Sequence, residues 1–296
     1  MANYTLIQWL FSFYIYCMVG WIWECTYVSI CEKRIVNRGF MRGPVIPIYG
    51  CGAVIMMFAT LPFRENIFLT FVSGMVAATL LEYVTGVAME AIFKVRYWDY
   101  SDKKFNFQGH IWLISSIGWG IGAVLLVNIL HRPVDWLIGT IPSKILKYCV
   151  DIASLIFIAD LSLSVKTALD IKDVLIKMEA IKTELSRMGR RIDIILAFAE
   201  DEKKQYIEYG HERLEDILES LEHKIALVKT RIDIPDDLKE EVIVLKGKVL
   251  FVKEKMSQLT GVKDFFRKDM LKGNPGMISS KFNDSLEDLK KYFFKK

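Results

Sequence analysis

The sequence predicts an all-α protein, with a polytopic membrane bundle of about five transmembrane helices followed by a cytoplasmic helical, coiled-coil tail. Two observations support this fold class. The first 165 of the 296 residues carry 22 charged side chains and the last 131 carry 52, although each part has a net charge of +2. Apolar residues form long runs in the first part and heptads in the second. We therefore predict two domains, 1–165 and 166–296, and exclude a disulfide scaffold and a nucleic-acid-binding protein.

Five apolar segments are predicted to cross the bilayer. A spanning helix needs about 20 mostly apolar residues, because about 30 Å of hydrocarbon is crossed at about 1.5 Å per residue. Four segments meet this requirement well, and Asp151 and Asp160 interrupt the fifth. The first is too long for a signal peptide and lacks a basic flank, so we expect it to be retained. The predicted spans are 6–30, 44–61, 66–93, 111–130 and 145–165.

Basic residues are concentrated in two of the loops between these spans. The loops after the first and third spans hold eight, whereas the other two loops hold two, with two more at the start of the fifth span. Short loops rich in lysine and arginine stay in the cytoplasm. The bias therefore places the N-terminus outside, and five spans then place the tail in the cytoplasm.

The tail repeats apolar residues at alternating spacings of three and four, which is typical of coiled-coil helices. The heptad segments are about 171–199, 207–232 and 238–260. Pro235 predicts a break between the last two, and Gly261 fits a C-terminal cap. The simplest structure is a long helix that continues from the fifth span, followed by an antiparallel hairpin. Its apolar seams would pack within the chain, on a second copy or on a partner helix.

The segment 36–52 is unsuited to a regular helix, because it holds four glycines and two prolines. Free backbone groups at a helix break can bind an anion or another ion, although a structural re-entrant turn is an equally good interpretation. The residues that give this segment its backbone motif are Gly39, Gly43, Pro44, Pro47, Tyr49 and Gly50.

Acidic side chains stand within the predicted spans, where an ionisable group is costly and is by default a functional hypothesis. Glu82 and Glu90 share one face of the third span with Gly86, and Glu24 lies in the first span. Their nearest basic partners stand in the loops at the same membrane face. A substrate or ion pathway and a structural ion-pair network both explain this grouping. The candidate residues are Glu24, Asn37, Arg38, Arg42, Glu82, Glu90, Arg96 and Asp99.

Catalytic and cofactor motifs do not stand out in the sequence. The chain lacks the Gly-x-x-x-x-Gly-Lys-Ser/Thr motif of nucleotide-binding loops and any clear Ser-His-Asp or Cys-His order. The five cysteines lack the spacing of a zinc site. His110 lies near several carboxylates, yet one interfacial histidine is more typical of a capping role than of a metal or proton-relay site. We predict no cofactor and no metal, and an enzyme is the less favoured class.

Several motifs occur in an order that resembles the ABC-transporter type IV family of CmpB-like bacterial membrane proteins. The resemblance covers about residues 10–165. It implies a multi-spanning, permease-like protein of the bacterial plasma membrane that works with a separate ATPase. The motifs that carry it are Asn37-Arg38-Gly39-Phe40, Gly43-Pro44, Pro47-Ile48-Tyr49-Gly50, Glu82-Tyr83 with Gly86 and Glu90, and Trp98-Asp99-Tyr100-Ser101 with Asn106 and Gly109.

These patterns together favour a permease or transporter component with a polar pocket open to the cytoplasm. We expect Glu24, Arg38, Glu82, Glu90 and Arg96 to bound the pocket. One alternative is an intramembrane enzyme acting on a lipid or prenyl phosphate, with Arg38 and Arg42 holding the phosphate. Another is a sensor or scaffold that works through its coiled-coil tail, as a homo-oligomer or with a partner helix.

Overall fold

The computed structural model describes residues 4–198, 214–230, 235–260 and 265–294. The chain forms two compact units. The first, here called the membrane unit, comprises Met1–Asp170 and Phe266–Ile278, and the second, the tail unit, comprises Ile171–Phe265 and Ser279–Lys296. The predicted heptad positions at 199, 207–213 and 232 lie outside the described residues.

The membrane unit is built almost entirely of helices, which confirms the all-α fold class. A two-residue antiparallel hairpin, in which Asn106 pairs with Trp112, joins two of the long helices. The elements in chain order are α1 (Leu6–Glu32), α2 (Pro47–Thr60) with a 3₁₀ turn (Leu61–Phe63), α3 (Ile67–Phe93), β1 (Asn106–Phe107), β2 (Ile111–Trp112), α4 (Leu113–Leu125), a π-helical turn (Leu126–Leu130), α5 (His131–Thr140) and the first part of α6 (Ser143–Phe198).

Four helical stretches in the described part of the chain are long and apolar enough to cross a membrane. A shorter apolar helix, Pro47–Phe63, stands where the second span is predicted. It begins at Pro47 rather than at residue 44, because proline disfavours the helical conformation of the residue before it, and Ile46 is extended. The count of five spans therefore stays a prediction. The four long stretches are Leu6–Glu32, Ile67–Phe93, Leu113–Thr140 and Ser143–Leu196.

Local capping chemistry sets the ends of α1 and α3. Before α1, the backbone N–H of Thr5 donates to the side chain of Gln8 at 2.8 Å. Before α3, the side chain of Asn66 accepts the backbone N–H of Leu69. Both helices end at a lysine in the left-handed conformation, Lys33 (φ 51°) and Lys94 (φ 61°). The two C-termini lie at one end of the bundle, here called the basic end.

Glycines allow the apolar helices of the membrane unit to pack closely. Gly50 of α2 leaves no room for a Cβ atom, because Cys17 and Phe13 of α1 occupy that space. Gly74 of α3 lies equally close to Ala123 of α4. Small residues at such contacts let backbones approach, which is how helices associate in a lipid environment.

The tail unit is a helical bundle formed by the second part of α6 with α7 (Leu214–Thr230), α8 (Asp236–Thr260) and α10 (Asn283–Phe294). Heptad residues of α6, α7 and α8 form one buried core, in which Leu185 and Leu221 are fully buried. Ion pairs support the core, such as Lys182 Nζ to Asp288 Oδ2 at 2.7 Å. The described apolar seams therefore contact one another within the chain.

Candidate functional site

A cavity of about 390 Å³ lies inside the membrane unit, between α1, α2, α3, α4 and α6. Met56 and Ala78 line it at one end, and Gly39, Phe40 and Asn274 line it at the basic end. Its walls are mainly apolar and aromatic. Three ionisable side chains with a predicted role line it, namely Glu24, Arg38 and Glu82.

Glu82 is the most deeply buried acid of the cavity, with 6% of its surface exposed. Trp119 Nε1 donates to one carboxylate oxygen at 3.0 Å, and the Tyr100 hydroxyl donates to the other at 3.2 Å. Burial and the Glu82 carboxylate raise the pKa of Tyr100 to about 12, which keeps this hydroxyl protonated. Within the described residues, Glu82 thus has two neutral donors and no ion pair.

Glu24 has a different environment, because it faces a cation across the same cavity. The hydroxyl of Tyr49 donates to Glu24 Oε1 at 2.6 Å, and Arg38 Nε lies 3.8 Å from Glu24 Oε2. The Arg38 guanidinium also donates to the carbonyl of Tyr97 at 3.1 Å and to Asn274 Oδ1 at 3.0 Å. Each of the three guanidinium nitrogens of Arg38 therefore has a protein oxygen within 4 Å.

The loop between α1 and α2 is held by side chains from three elements. Asn37 accepts from Trp21 Nε1 at 2.7 Å and donates to the carbonyl of Arg42 at 2.9 Å. Asp160 of α6 accepts the backbone N–H of Gly43 at 2.8 Å. A carboxylate in the weakest predicted span thus has a partner in backbone N–H groups that the glycine-rich loop leaves free.

Arg42 points away from the cavity lining. Its Nη2 donates to Thr167 Oγ1 at 3.1 Å, and its guanidinium carbon lies 3.2 Å from the centroid of the Phe266 ring. A guanidinium over an aromatic face is a favourable cation–π contact. Arg42 thus fixes the end of the loop.

A second cluster of ionisable residues lies at the end of α3 and in the loop that follows it, and it does not line the cavity. Arg96 Nε donates to Glu90 Oε2 at 2.8 Å, and Arg96 Nη1 donates to Asp99 Oδ1 at 3.0 Å. His110 Nε2 lies 3.1 Å from the same oxygen of Glu90. Burial and the Arg96 guanidinium lower the pKa of His110, so the ring is neutral at pH 7. We call these four residues the Arg96 cluster.

Gly109 lies directly against Arg96 and Asp99 of the Arg96 cluster, where there is no room for a side chain. It adopts a φ of +73°, and a Cβ atom there would lie 2.6 Å from Arg96 Nη1 and 2.8 Å from Asp99 Oδ1. A left-handed backbone and this crowding both require glycine. The motif glycine therefore serves the ion pairs rather than a ligand.

The segment Phe266–Ile278 follows the tail helices in sequence but packs into the membrane unit, which sequence reasoning missed. Asn274 is 1% exposed, binds Arg38 and donates to the carbonyl of Gly39 at 2.9 Å. Ile278 pairs with Arg96 through two backbone hydrogen bonds. The segment has no heptad or other periodic pattern, and only its turn-forming residues Asn274 to Gly276 stand out in the sequence.

A polar cluster that the sequence did not reveal lies near the other end of α1. The buried ring of His131 has Tyr4 Oη 3.0 Å from Nε2 and Tyr16 Oη 2.9 Å from Nδ1. The Tyr4 hydroxyl also donates to Asp135. The signal available in the sequence was the position of His131 directly after the apolar run 111–130.

The structure separates the predicted candidates into three sets. Glu24, Arg38 and Glu82 line the cavity together with the motif residues Gly39, Pro47 and Tyr49, whereas Gly43, Pro44 and Gly50 do not. Glu90, Arg96 and Asp99 form the Arg96 cluster, and Asn37 and Arg42 support the loop. In the described part of the chain, no three His, Cys, Asp or Glu side chains are placed to hold a metal ion.

The four long apolar helices of the described chain are typical of a membrane protein. Residues 11–165 match the family described as "Putative ABC-transporter type IV". Since the match covers more than half of the 296 residues, the chain belongs to this family, and the family prediction is confirmed. No curated protein and no solved structure gives a significant match.

Proposed function

We propose that the chain is the membrane-spanning permease component of a transporter and that the cavity forms part of the substrate pathway. The observation that carries this proposal is the pair of carboxylates, Glu24 and Glu82, beside a cavity of about 390 Å³ within the family domain. Acidic side chains in spanning helices are costly, and they mark substrate and ion pathways in membrane proteins. The volume is within the range of small-molecule sites.

In this proposal the basic end of the bundle faces the cytoplasm of a bacterium, and the N-terminus lies outside its plasma membrane. The loops that carry Arg38 and Arg96 are the most basic, and basic loops stay inside. Energy comes from a separate ATPase or from an ion gradient. The family name and the lack of a nucleotide-binding motif in the chain favour the ATPase.

The two alternative functions have weaker support. A lipid or prenyl-phosphate enzyme needs basic groups that are available to a phosphate, but Arg38 already contacts Glu24, Tyr97 and Asn274, and Arg42 contacts Thr167. A scaffold needs available seams on its tail helices, but the described seam residues are buried against one another.

Cysteine labelling of the cavity tests the transport proposal without a known substrate. Thr85 lines the cavity, whereas its neighbour Val84 is 61% exposed on the outer surface of the membrane unit. Thr85→Cys and Val84→Cys are labelled with a membrane-impermeant thiosulfonate in right-side-out and inside-out vesicles, and the native chain corrects for its own cysteines. We expect Thr85→Cys to react from both sides during ATP supply or an imposed gradient, and Val84→Cys to stay unreactive in lipid.

One outcome would overturn the proposal. A Thr85→Cys chain that reacts from the same single side under every energy condition has no alternating pathway, and a ligand-binding enzyme or sensor would then be favoured. Purification in mild detergent separately tests the ATPase, which should elute with the full chain in a fixed ratio. If no ATPase elutes with the chain and labelling depends on the imposed gradient, the gradient supplies the energy for transport.

A further inference from the structure

We infer that the cavity binds a hydrophobic organic cation and that Glu82 is its counter-ion. This inference rests on the proposed function, because it names the substrate class of the same pathway. Two observations carry it: the charge balance of the lining and the aromatic walls of the cavity.

The charge balance leaves one carboxylate of the cavity without a cation. Among the residues that the structure describes, Glu24 and Glu82 are the lining acids and Arg38 is the lining base. Arg38 Nε is 3.8 Å from Glu24, so this cation is assigned to Glu24. Glu82 receives hydrogen bonds from the neutral groups of Trp119 and Tyr100, which orient the carboxylate without neutralising it. A charge out of water is stabilised by an opposite charge, which a cationic ligand would supply.

The walls suit a cation with an apolar body. Cations bind to the faces of tryptophan, tyrosine and phenylalanine rings, and recognition of quaternary ammonium groups uses such rings. Methionines add polarisable and adaptable surface, and Met56 and Met89 both line the cavity. The aromatic lining residues are Phe40, Tyr49, Phe93, Tyr97, Trp98, Tyr100 and Trp119.

Other ligand classes fit these walls less well. A metal ion requires several oxygen, nitrogen or sulfur ligands, and the described residues contain no group of three acids, cysteines or histidines placed for one. A phosphate or carboxylate ligand would face two acids and an arginine whose guanidinium is already bonded to Tyr97 and Asn274. A sugar would need many polar partners, whereas the walls are mainly apolar.

Two probes of the same shape and opposite charge test the inference. Tetraphenylphosphonium and tetraphenylborate are titrated into the full chain in uncharged detergent, and binding is measured by equilibrium dialysis against protein-free micelles. We expect the phosphonium to bind at one site and the borate to show no binding above the micelle background. We expect Glu82→Gln to weaken phosphonium binding at least tenfold, and Glu82→Asp, which keeps the charge, to weaken it less.

Glu65→Gln is the matched control, because Glu65 is an exposed carboxylate in the turn before α3. It should bind the phosphonium like the native chain. Equal binding of the two probes, or unchanged phosphonium binding in Glu82→Gln, would overturn the inference. Thermal unfolding of each variant shows that a loss of binding is not a loss of folding.

The two proposals fail in distinguishable ways. If Thr85→Cys is reached from both sides but the phosphonium does not bind, the substrate class is wrong and the transport pathway stands. If the phosphonium binds and protects Thr85→Cys, but labelling comes from one side only, the cavity is a cation site in a protein that does not transport.

Discussion

Glu82 and Glu90 lie about two turns apart on one face of α3, yet their surroundings are opposite. Glu82 faces the cavity and receives hydrogen bonds from Trp119 and Tyr100. Glu90 lies outside the cavity and is bonded to Arg96 at 2.8 Å and to His110 at 3.1 Å. Among the described residues, Glu82 thus has only neutral donors, whereas Glu90 belongs to a network of ion pairs.

This comparison shows what distinguishes a structural acid from a candidate functional one. An ion pair in a protein interior offsets the cost of removing both charges from water, and loss of either partner leaves the other uncompensated. A carboxylate beside a cavity with neutral donors has that cost only partly offset, so it retains affinity for a cation. Glu90 is therefore expected to support folding, and Glu82 to support ligand binding.

The largest expected effect concerns the free energy of unfolding. Glu90→Gln leaves the partly buried guanidinium of Arg96 with one carboxylate instead of two, and we expect it to lower the free energy of unfolding by about 3 kcal/mol. Glu82→Gln removes a buried charge and keeps an oxygen that can accept a hydrogen bond, so we expect a change within about 1 kcal/mol. Unfolding by SDS in mixed micelles measures both values.

The triple variant Glu90→Gln, Arg96→Met and Asp99→Asn is the control for the first prediction. Because it removes all three charges of the ion-pair network, it should recover part of the stability that Glu90→Gln loses. If Glu82→Gln is instead the more destabilising single change, Glu82 has a structural role and the contrast with Glu90 is wrong.

Two glycines extend the comparison from charge to packing. Gly109→Ala places a methyl group against Arg96 and Asp99 at a φ of +73°, so we expect a loss of about 2 kcal/mol. Gly52 lines the cavity, and a Cβ atom there would be 3.8 Å from the nearest side chain, Leu81. Gly52→Ala should therefore leave the stability nearly unchanged. Similar losses in both variants would contradict the tight packing of the Arg96 cluster.

Asn274 links the cavity to the segment Phe266–Ile278, and its removal sharpens the comparison at the basic end. Asn274→Ala loses hydrogen bonds to Arg38 Nη1, Gly39 O and Met270 O, so we expect a loss of about 1.5 kcal/mol. We also expect faster labelling of Thr85→Cys from the side of the basic end. The control is Lys268→Ala, an exposed position in α9 (Phe265–Gly273). Unchanged labelling in Asn274→Ala would show that the segment does not limit access.

Much of the fold could be predicted because its signals are local. Uninterrupted apolar runs predicted α1 and α3, where the structure has helices of 27 residues each. Proline and glycine chemistry predicted the irregular loop before α2. The placement of Phe266–Ile278 in the membrane unit could not be predicted, since it depends on contacts such as Asn274 with Arg38, more than 230 residues apart in sequence.

The charged residues of the candidate site could be predicted from the sequence, but the groups to which they are hydrogen-bonded or ion-paired could not. Sequence reasoning singled out Glu24, Arg38, Glu82 and Glu90, because charges in apolar runs are conspicuous. It could not distinguish Glu82 from Glu90, since both stand on one helical face. Their difference comes from donors on other elements, such as Trp119 of α4. Neutral donors of this kind have no recognisable signature in an apolar helix.

The smallest expected effect is the pH dependence of the Arg96 cluster. Burial and the Arg96 guanidinium lower the pKa of His110 in the folded chain, although Glu90 and Asp99 act in the opposite direction. Below pH 6.5 the unfolded chain therefore binds a proton at this histidine more readily than the folded chain does. Stability due to His110 is thus present above that pH and lost as the pH falls below it.

A variant isolates this contribution from the titration of the neighbouring carboxylates. His110→Gln removes the histidine and leaves Glu90, Arg96 and Asp99 in place. Stability that is lost when the two acids are protonated at lower pH is therefore lost in both chains. Unfolding between pH 7.5 and pH 5 should show a shallower decline for His110→Gln than for the native chain. A steeper decline for His110→Gln than for the native chain would mean that Glu90 stabilises protonated His110. The histidine would then belong to the ion pairs as a cation.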